Sequence, residues 1–257
     1  MTPPDAWLRD LVADVRISIL FSTRLPLPHP TPVDGARLAR ATWALPLAGA
    51  LIGVFGALAY GLAHALRLPP LAAAALALAA TVATTGCLHE DGLADTADGF
   101  GGGGTREHKL EIMRDSRIGS YGATALALSL LLRFAALASL ADAWSAAAAL
   151  VAAHASARAV LPAFMRAVPP ARRDGLSADA GRPTPASAAV AALLGAAALA
   201  FGLAPAAALI GLVVLAAAAA AMGCLSLRQI GGQTGDVIGA LEQVGEAAIL
   251  LVAAARL

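Results

Sequence analysis

Long apolar runs separated by short polar breaks dominate this chain. Runs of this length predict about seven membrane-spanning helices. Prolines, glycines and charged residues supply the breaks between them. The two helices around Pro205 could instead form a re-entrant pair, so six to eight spans fit the pattern. The predicted spans are 43–66, 69–88, 120–141, 143–167, 186–203, 205–227 and 237–255.

The N-terminal region has a different pattern. Residues 5–22 place apolar side chains on one helical face and charges elsewhere, which predicts an amphipathic helix lying at the membrane interface. A core-facing helix of a soluble protein would show the same pattern. Prolines at 26, 28, 30 and 32 then predict an extended connector over Thr23–Arg40.

Composition supports the membrane interpretation. The chain is 59% hydrophobic and 14% charged, with a mean hydropathy of +0.74, whereas a soluble domain carries about 25% charged residues. A soluble alanine-rich bundle would need a polar face on each helix, and the runs 71–87 and 186–204 have none. We therefore predict an all-α polytopic membrane protein, with residues 1–257 forming a single integral-membrane domain.

The distribution of Lys and Arg predicts an orientation. Most of the 18 basic residues lie in 1–42, 89–119, 168–185 and 228–236. Basic loops stay in the cytoplasm, so these segments and the N-terminus are expected there. Membrane lipid is an expected partner. The net charge of +1 gives no indication of nucleic-acid binding. The sequence does not decide between a monomer and a homo-oligomer.

Segment 89–119 concentrates acidic residues in this apolar chain. Asp91, Asp95 and Asp98 are spaced i, i+4, i+7, which places them within about 60° on one helical face. An oxygen-only donor set suits Mg²⁺ or Mn²⁺. Gly92 and Gly99 indicate either close approach of a phosphate or another helix, or a loop conformation. Glu90, to one side of the stripe, and Asp236 are further candidate ligands.

Basic residues follow the acidic stripe. Arginine and lysine are the usual partners of phosphate oxygens, so they predict a phosphate-binding role. Gly101–Gly104 adds a flexible loop whose amides could approach an anion. The alternative is a solvated cytoplasmic loop with alternating charges. The candidate substrate-binding residues here are Arg106, Lys109, Arg114 and Arg117.

Further candidates lie elsewhere in the chain. His154 and Arg158 fall inside a predicted span, where charged residues are costly and often functional. A satisfied buried histidine fits His154 equally well. Arg133 is deeper and has no evident partner. Gln233 and Thr234 belong to a Gly-rich turn that could hydrogen-bond substrate, while the loop 172–182 could clamp a nucleotide or only set topology.

Several of these motifs resemble the cobalamin synthase (adenosylcobinamide-GDP ribazoletransferase) family. The resemblance runs over nearly the whole chain. It is carried by HEDGLADTADGFGGG and IMRDSRIGSYGA in the acidic segment, TRLPLP at 23–28, the stretch His154–Arg158, the stretch Arg172–Leu176 and GGQTGDVIGA at 231–240.

The resemblance implies a Mg²⁺-dependent enzyme of the bacterial inner membrane. Such an enzyme joins adenosylcobinamide-GDP to α-ribazole, or to its 5′-phosphate, and releases GMP. Asp91, Asp95 and Asp98 would bind the metal, with Asp95 essential for turnover. Asp98 or Asp115 would accept the proton of the attacking hydroxyl.

Two other functions stay open at this point. The acidic segment resembles, more loosely, the aspartate motif of CDP-alcohol phosphotransferases of lipid synthesis, although the Ala-Arg of that motif is absent. A secondary transporter would instead use the intramembrane residues His154, Arg133 and Arg158. Concentration of charge on one face favours an enzyme that takes its substrates from the cytosol.

Overall fold

The computed structural model describes residues 6–28, 34–140, 142–172, 174–175 and 180–255. These residues are mostly helical, and a 3₁₀ turn at Thr42–Ala44 joins the second helix to the third. In chain order the helices are α1 (Ala6–Ser22), α2 (Gly35–Ala41), α3 (Leu45–Ala65), α4 (Pro70–Thr85), α5 (Leu88–Gly102), α6 (Arg106–Ile112), α7 (Ser120–Ala138), α8 (Ala143–Ala159), α9 (Leu161–Ala167), α10 (Pro185–Gly202), α11 (Pro205–Ile230) and α12 (Gly235–Ala254).

Six helical stretches are long and apolar enough to cross a membrane. They correspond to α2–α3, α7, α8–α9, α10, α11 and α12. A further pair, α4 and α5, passes the same test only together and is bent by 88° at its break, which gives up to seven spans. The prediction of an all-α polytopic membrane protein is therefore confirmed.

The bent pair corrects one predicted span. Residues 69–88 were expected to form one span, but α4 ends at Thr85. Gly86 and Cys87 both adopt left-handed backbone conformations, with φ of 64° and 62°, and helix α5 starts in a new direction. The break therefore lies at 86–87.

The two helices that flank Pro205, α10 and α11, are each long enough and apolar enough to span a membrane separately.

The second correction concerns the expected connector at Thr23–Arg40. The described residues 23–28 are non-helical, but α2 begins at Gly35. The side chain of Asp34 accepts a hydrogen bond from the backbone N–H of Arg37 at 2.8 Å, which caps the new helix. The extended interpretation is wrong for residues 35–40, and residues 29–33 lie outside the described part.

Helix α1 turns its polar side towards the bundle. Asp14 is only 3% exposed and accepts hydrogen bonds from the Arg40 guanidinium at 3.1 Å and from Trp43 Nε1 at 3.2 Å. The apolar residues Trp7 and Val12 point outwards, with 64% and 60% exposure. An outward apolar face on an amphipathic helix suits the interfacial placement predicted for it.

Small residues bring the central helices close together. A Cβ added at Gly53 of α3 would lie 2.6 Å from the Cα of Val151 in α8, and Gly49 lies against the backbone of His154. Contacts of this kind are typical of membrane helices, where small residues allow backbones to approach. The packing places α8, with His154 and Arg158, at the centre between α3, α10 and α12.

Candidate active site

Helix α5 carries the predicted acidic stripe. Asp91 is exposed, Asp95 half-buried and Asp98 buried. The helical interpretation of this segment is confirmed and the loop alternative is wrong for residues 88–102. Gly101 and Gly102, expected in a flexible loop, form the last turn of the helix.

A close crossing brings helix α12 against α5. A Cβ added at Gly92 would lie 2.8 Å from the carbonyl oxygen of Asp236 and 3.3 Å from the Cα of Gly239. The crossing explains why glycine stands at position 92. It also places the carboxylate of Asp236 near those of Asp91 and Asp95, close enough for mutual repulsion.

We refer to Asp91, Asp95 and Asp236 as the acidic set. Asp236 is oriented by Thr234, whose hydroxyl donates to Asp236 Oδ2 at 3.1 Å and accepts from the backbone N–H of Val237 at 3.3 Å. Thr234 is thus the N-cap of α12. Two helices therefore supply three carboxylates to one region, although their oxygens do not all lie within 4.8 Å of one another.

One arginine reaches the acidic set from a neighbouring loop. Arg172 lies 3.6 Å from Asp236 Oδ2. The loop is tied to the turn before α12, because the backbone N–H of Gln233 donates to Pro169 O and that of Ala171 donates to Gln233 O, each at 2.8 Å. Arg106 donates to Ala171 O at 2.6 Å. The predicted substrate-binding residues Arg106 and Gln233 therefore hold the loop that carries Arg172.

Asp98 differs from its two neighbours on the stripe. Its carboxylate accepts hydrogen bonds from the backbone N–H groups of Gly119 at 2.7 Å and Gly122 at 2.8 Å. These are free N–H groups at the start of α7, so Asp98 anchors that helix. Both oxygens are engaged in this way, which argues against Asp98 as a metal ligand or the catalytic base; that assignment stays an untested prediction.

The remaining candidates of the basic segment are engaged with the protein. Lys109 donates to Phe100 O at 3.0 Å, and Arg114 forms an ion pair with Asp174 at 2.5 Å. Arg117 pairs with Asp115 at 2.6 Å. These hydrogen bonds from Arg117 lower the pKa of the Asp115 carboxyl to about 2. A carboxyl held so acidic is a poor proton acceptor, which argues against Asp115 as the base.

Glu90 lies on a different side of α5 from the acidic set and points towards α7. It is 8% exposed and lies 3.3 Å from the guanidinium of Arg133 in α7. Arg133 also pairs with Glu246 of α12 at 2.9 Å, and His154 Nδ1 lies 3.1 Å from the other oxygen of Glu246. Glu90 is therefore the partner that Arg133 lacked in the sequence. This ion pair argues against Glu90 as a metal ligand, which stays an untested prediction.

Arg158 extends this cluster of charges. It lies 2.5 Å from Glu242 and 3.3 Å from His89 Nδ1. Both arginines are 1% exposed. Such pairs are retained in membrane interiors because each charge needs a partner there. We refer to the whole cluster as the buried network; its members are His89, Glu90, Arg133, His154, Arg158, Glu242 and Glu246.

A tight set of possible metal ligands also falls within the buried network. Among the described residues, His154, Glu242 and Glu246 are the one group of three whose ligand atoms all lie within 4.8 Å. Arg133 and Arg158 already neutralise these carboxylates, so the set is explained by ion pairing. Sequence reasoning did not select His89, Glu242 or Glu246. The available signal was a pair of glutamates one turn apart inside an apolar span.

A cavity of about 200 Å³ opens beside the acidic set. Asp91 and Asp236 form part of its wall, together with His89 and Arg158 from the buried network. The other walls come from α1, α2, α3 and α9 and are mainly apolar. The cavity therefore joins the exposed carboxylates to the interior of the bundle.

The fold and the acidic set together define a polytopic membrane enzyme with its carboxylates at the edge of a cavity. The family model described as cobalamin-5-phosphate synthase matches residues 14–254. The chain belongs to this family, a group of transferases of cobalamin synthesis, and the predicted resemblance is confirmed. Because the chain belongs to this family, the alternatives of a lipid-synthesis phosphotransferase and a secondary transporter are set aside.

Curated relatives agree with the family model. The chain is 56% identical to the adenosylcobinamide-GDP ribazoletransferase of Bradyrhizobium diazoefficiens over 99% of this chain and 98% of that protein. Proteins of the same name from Mesorhizobium japonicum and Azorhizobium caulinodans are 55% and 50% identical. They cover 97% and 94% of this chain, and the match covers 95% of each of them. No solved structure matches the chain.

Proposed function

We propose that this chain joins adenosylcobinamide-GDP to α-ribazole, or to its 5′-phosphate, and releases GMP. The names of the relatives support this reaction. The structural observation that carries it is the convergence of Asp91, Asp95 and Asp236 beside one cavity. Among the described residues, Arg172 is the only arginine at ion-pair distance from these three carboxylates. Such a site needs positive charge, which a divalent metal ion bound together with the pyrophosphate would supply.

The reaction is a displacement at phosphorus. The ribose 3′-hydroxyl of the acceptor attacks the phosphorus that carries the aminopropanol arm of cobinamide. A new P–O bond forms, and the bond from that phosphorus to the bridging oxygen of the pyrophosphate breaks. GMP leaves with the second phosphate, and the hydroxyl proton passes to a carboxylate of the enzyme.

The donor set fits magnesium. Magnesium usually takes one or two carboxylates and completes its shell with water and substrate phosphates. Asp95 and Asp236 offer oxygen ligands from two helices, and Thr234 holds Asp236 in place. When bound, Mg²⁺ would neutralise the pyrophosphate and the departing GMP.

Asp91 is the candidate proton acceptor. It is exposed, it lines the cavity, and no described residue donates a hydrogen bond to its carboxylate. By contrast, Asp98 is engaged by α7 and Asp115 by Arg117. Arg172, beside Asp236, is placed to contact non-bridging oxygens of the pyrophosphate.

The proposed site faces the cytoplasm, where soluble nucleotide-activated substrates are found. The excess of Lys and Arg in 1–42, 89–119, 168–185 and 228–236 supports this orientation, with a cytoplasmic N-terminus. Leu58 and Leu193, on spanning helices, are more than 60% exposed and are suited to contact membrane lipid.

Product release tests the function directly. Purified protein in lipid nanodiscs would receive Mg²⁺, adenosylcobinamide-GDP and α-ribazole, and GMP would be quantified by chromatography. We expect GMP and the cobalamin product in equal amounts, and none when α-ribazole is omitted. Absence of GMP from well-folded protein would refute the proposal.

A further inference from the structure

We infer that the cavity between α1, α2, α5, α9 and α12 receives the aromatic base of the acceptor, and that the donor nucleotide lies outside it. The inference rests on the proposed function and specifies which substrate occupies which part of the site. The acceptor α-ribazole consists of a ribose joined to dimethylbenzimidazole, a fused two-ring base with a single unsubstituted ring nitrogen.

The walls of the cavity are suited to an apolar ring system. Apolar side chains come from elements that are distant in sequence, and they face the acidic residues across the cavity. Such walls with a few polar groups are typical of sites for flat organic ligands. The apolar lining includes Phe21 of α1, Leu38 of α2, Leu45 of α3, and Leu161 and Met165 of α9.

The size of the cavity limits its occupant. Its volume is about 200 Å³, and an engineered protein cavity of about 150 Å³ accommodates one benzene ring. A fused two-ring base therefore fits with little space to spare. The corrin macrocycle of the donor, with its peripheral side chains, is far too large.

Polarity separates the two remaining candidate bases. Guanine carries donors and acceptors around its rings, and burying them against apolar walls without partners would be costly. Dimethylbenzimidazole has one acceptor nitrogen to satisfy. The hydroxyls of Ser18 and Thr42 already donate to Ala41 O and Ala39 O, each at 2.7 Å, so they do not supply a free donor.

Arg158 is the residue of the cavity wall with an unsatisfied buried donor. It lines the cavity and is 1% exposed. Its Nε is buried and has no hydrogen-bond partner, and no other residue lining the cavity has such an atom among the described residues. The rest of its guanidinium is fixed by Glu242 and His89. The Nε–H is covered in this structure, so a small shift of the Arg158 side chain towards the cavity would let it donate to the ring nitrogen.

The position of the cavity then orients the acceptor. Asp91 and Asp236 line it on the side of the acidic set. A base seated among the apolar walls leaves its ribose at this edge, with the hydroxyl near Asp91. The donor pyrophosphate approaches the same edge from the side of Asp95 and Arg172.

A variant that fills the cavity tests the inference. In Leu38→Trp we expect the KM for α-ribazole to rise by roughly tenfold or more, since a filled pocket rejects a ligand of the original size. The KM for adenosylcobinamide-GDP should change by less than about twofold. The ribazole analogue without the two methyl groups should recover part of the loss. Leu58→Trp, on the exposed face of α3, is the matched control.

An enlarged cavity provides a second test that does not depend on loss of activity. Met165→Ala should accept the naphthimidazole analogue of α-ribazole, which the wild type should use poorly. A rise in the KM for adenosylcobinamide-GDP in Leu38→Trp, or unchanged KM values together with unchanged base selectivity in Met165→Ala, would overturn the inference. A wild type that releases no GMP would instead refute the proposed function.

Discussion

The acidic set and the buried network each contain three carboxylates, but they differ in how those charges are neutralised. In the network, Arg133 and Arg158 lie within 2.5 to 3.3 Å of glutamate oxygens. In the acidic set, the only arginine at ion-pair distance among the described residues is Arg172, at 3.6 Å. Both regions use helix α12, so they are separated by only a few residues of one helix.

This difference fits the proposal that the acidic set carries the chemistry, whereas most of the buried network holds the helices together. Carboxylates that repel one another reduce stability, and such arrangements persist where function requires them. Buried charges with matched partners are tied to folding, because loss of one partner leaves the other uncompensated. The comparison predicts opposite effects of charge removal in the two regions.

The largest expected effect is on turnover. Asp95→Asn should lower kcat by roughly a thousandfold, because a charge at the site of phosphoryl transfer is lost. The thermal midpoint should stay the same or rise, since repulsion from Asp91 and Asp236 is relieved. GMP release and thermal unfolding in detergent measure the two quantities. Glu107→Gln, on the exposed face of α6, is the control, and a folded, fully active Asp95→Asn would contradict the account.

The second effect is on stability in the buried network. Arg133→Met should reduce the free energy of unfolding by about 3–5 kcal/mol, because Glu90 and Glu246 lose their common partner. The measurement is the unfolding midpoint and the yield of monodisperse protein. Arg117→Met, which removes an exposed pair with Asp115, should leave the unfolding midpoint almost unchanged, because water screens that pair. Equal losses of stability in Arg133→Met and Arg117→Met would show that the buried ion pairs matter no more to folding than an exposed one.

The third prediction concerns the crossing that brings the acidic set together. Gly92→Ala places a Cβ 2.8 Å from the carbonyl oxygen of Asp236, so α5 and α12 must separate. We expect a stability loss of about 1–3 kcal/mol, with lower turnover. Gly61→Ala is the control, because a Cβ there meets nothing within 4 Å. It should be neutral or stabilise by about 0.5–1 kcal/mol. Full activity in Gly92→Ala would show that turnover does not depend on the close crossing of α5 and α12.

The smallest effect is expected at Asp98. Asp98→Ala removes the acceptor for the N–H groups of Gly119 and Gly122, which should cost about 0.5–2 kcal/mol. Turnover should fall only a few-fold from the wild-type value, far less than in Asp95→Asn. If Asp98→Ala were as inactive as Asp95→Asn while equally stable, Asp98 would belong to the chemistry, as the sequence first indicated.

The sequence was sufficient where the signal is local. The apolar runs predicted the spans, and the i, i+4, i+7 spacing placed Asp91 and Asp95 on one face of α5. The cap at Asp34 was also a local signal, but the neighbouring prolines dominated the interpretation of residues 23–40. Local patterns determine helices well because the hydrogen bonds of a helix are themselves local.

The sequence was insufficient where a side chain has a distant partner. Arg133 meets Glu90 and Glu246, which are 43 and 113 residues away. The role of Asp98 as an anchor for α7 depends on how the chain returns after α6. Asp236 joins the acidic set only because α12 crosses α5 at Gly92. These assignments depend on how the helices pack together, and the periodicity of the sequence carries no information about that packing.

Metal binding without turnover tests the central claim most directly. Purified protein in nanodiscs would be titrated with Mn²⁺, and free ion would be counted by electron paramagnetic resonance. The account predicts saturable binding by the wild type and by Asp98→Ala, and its loss in the double variant Asp95→Asn, Asp236→Asn. Unchanged Mn²⁺ binding in that double variant would contradict the account and place the metal elsewhere.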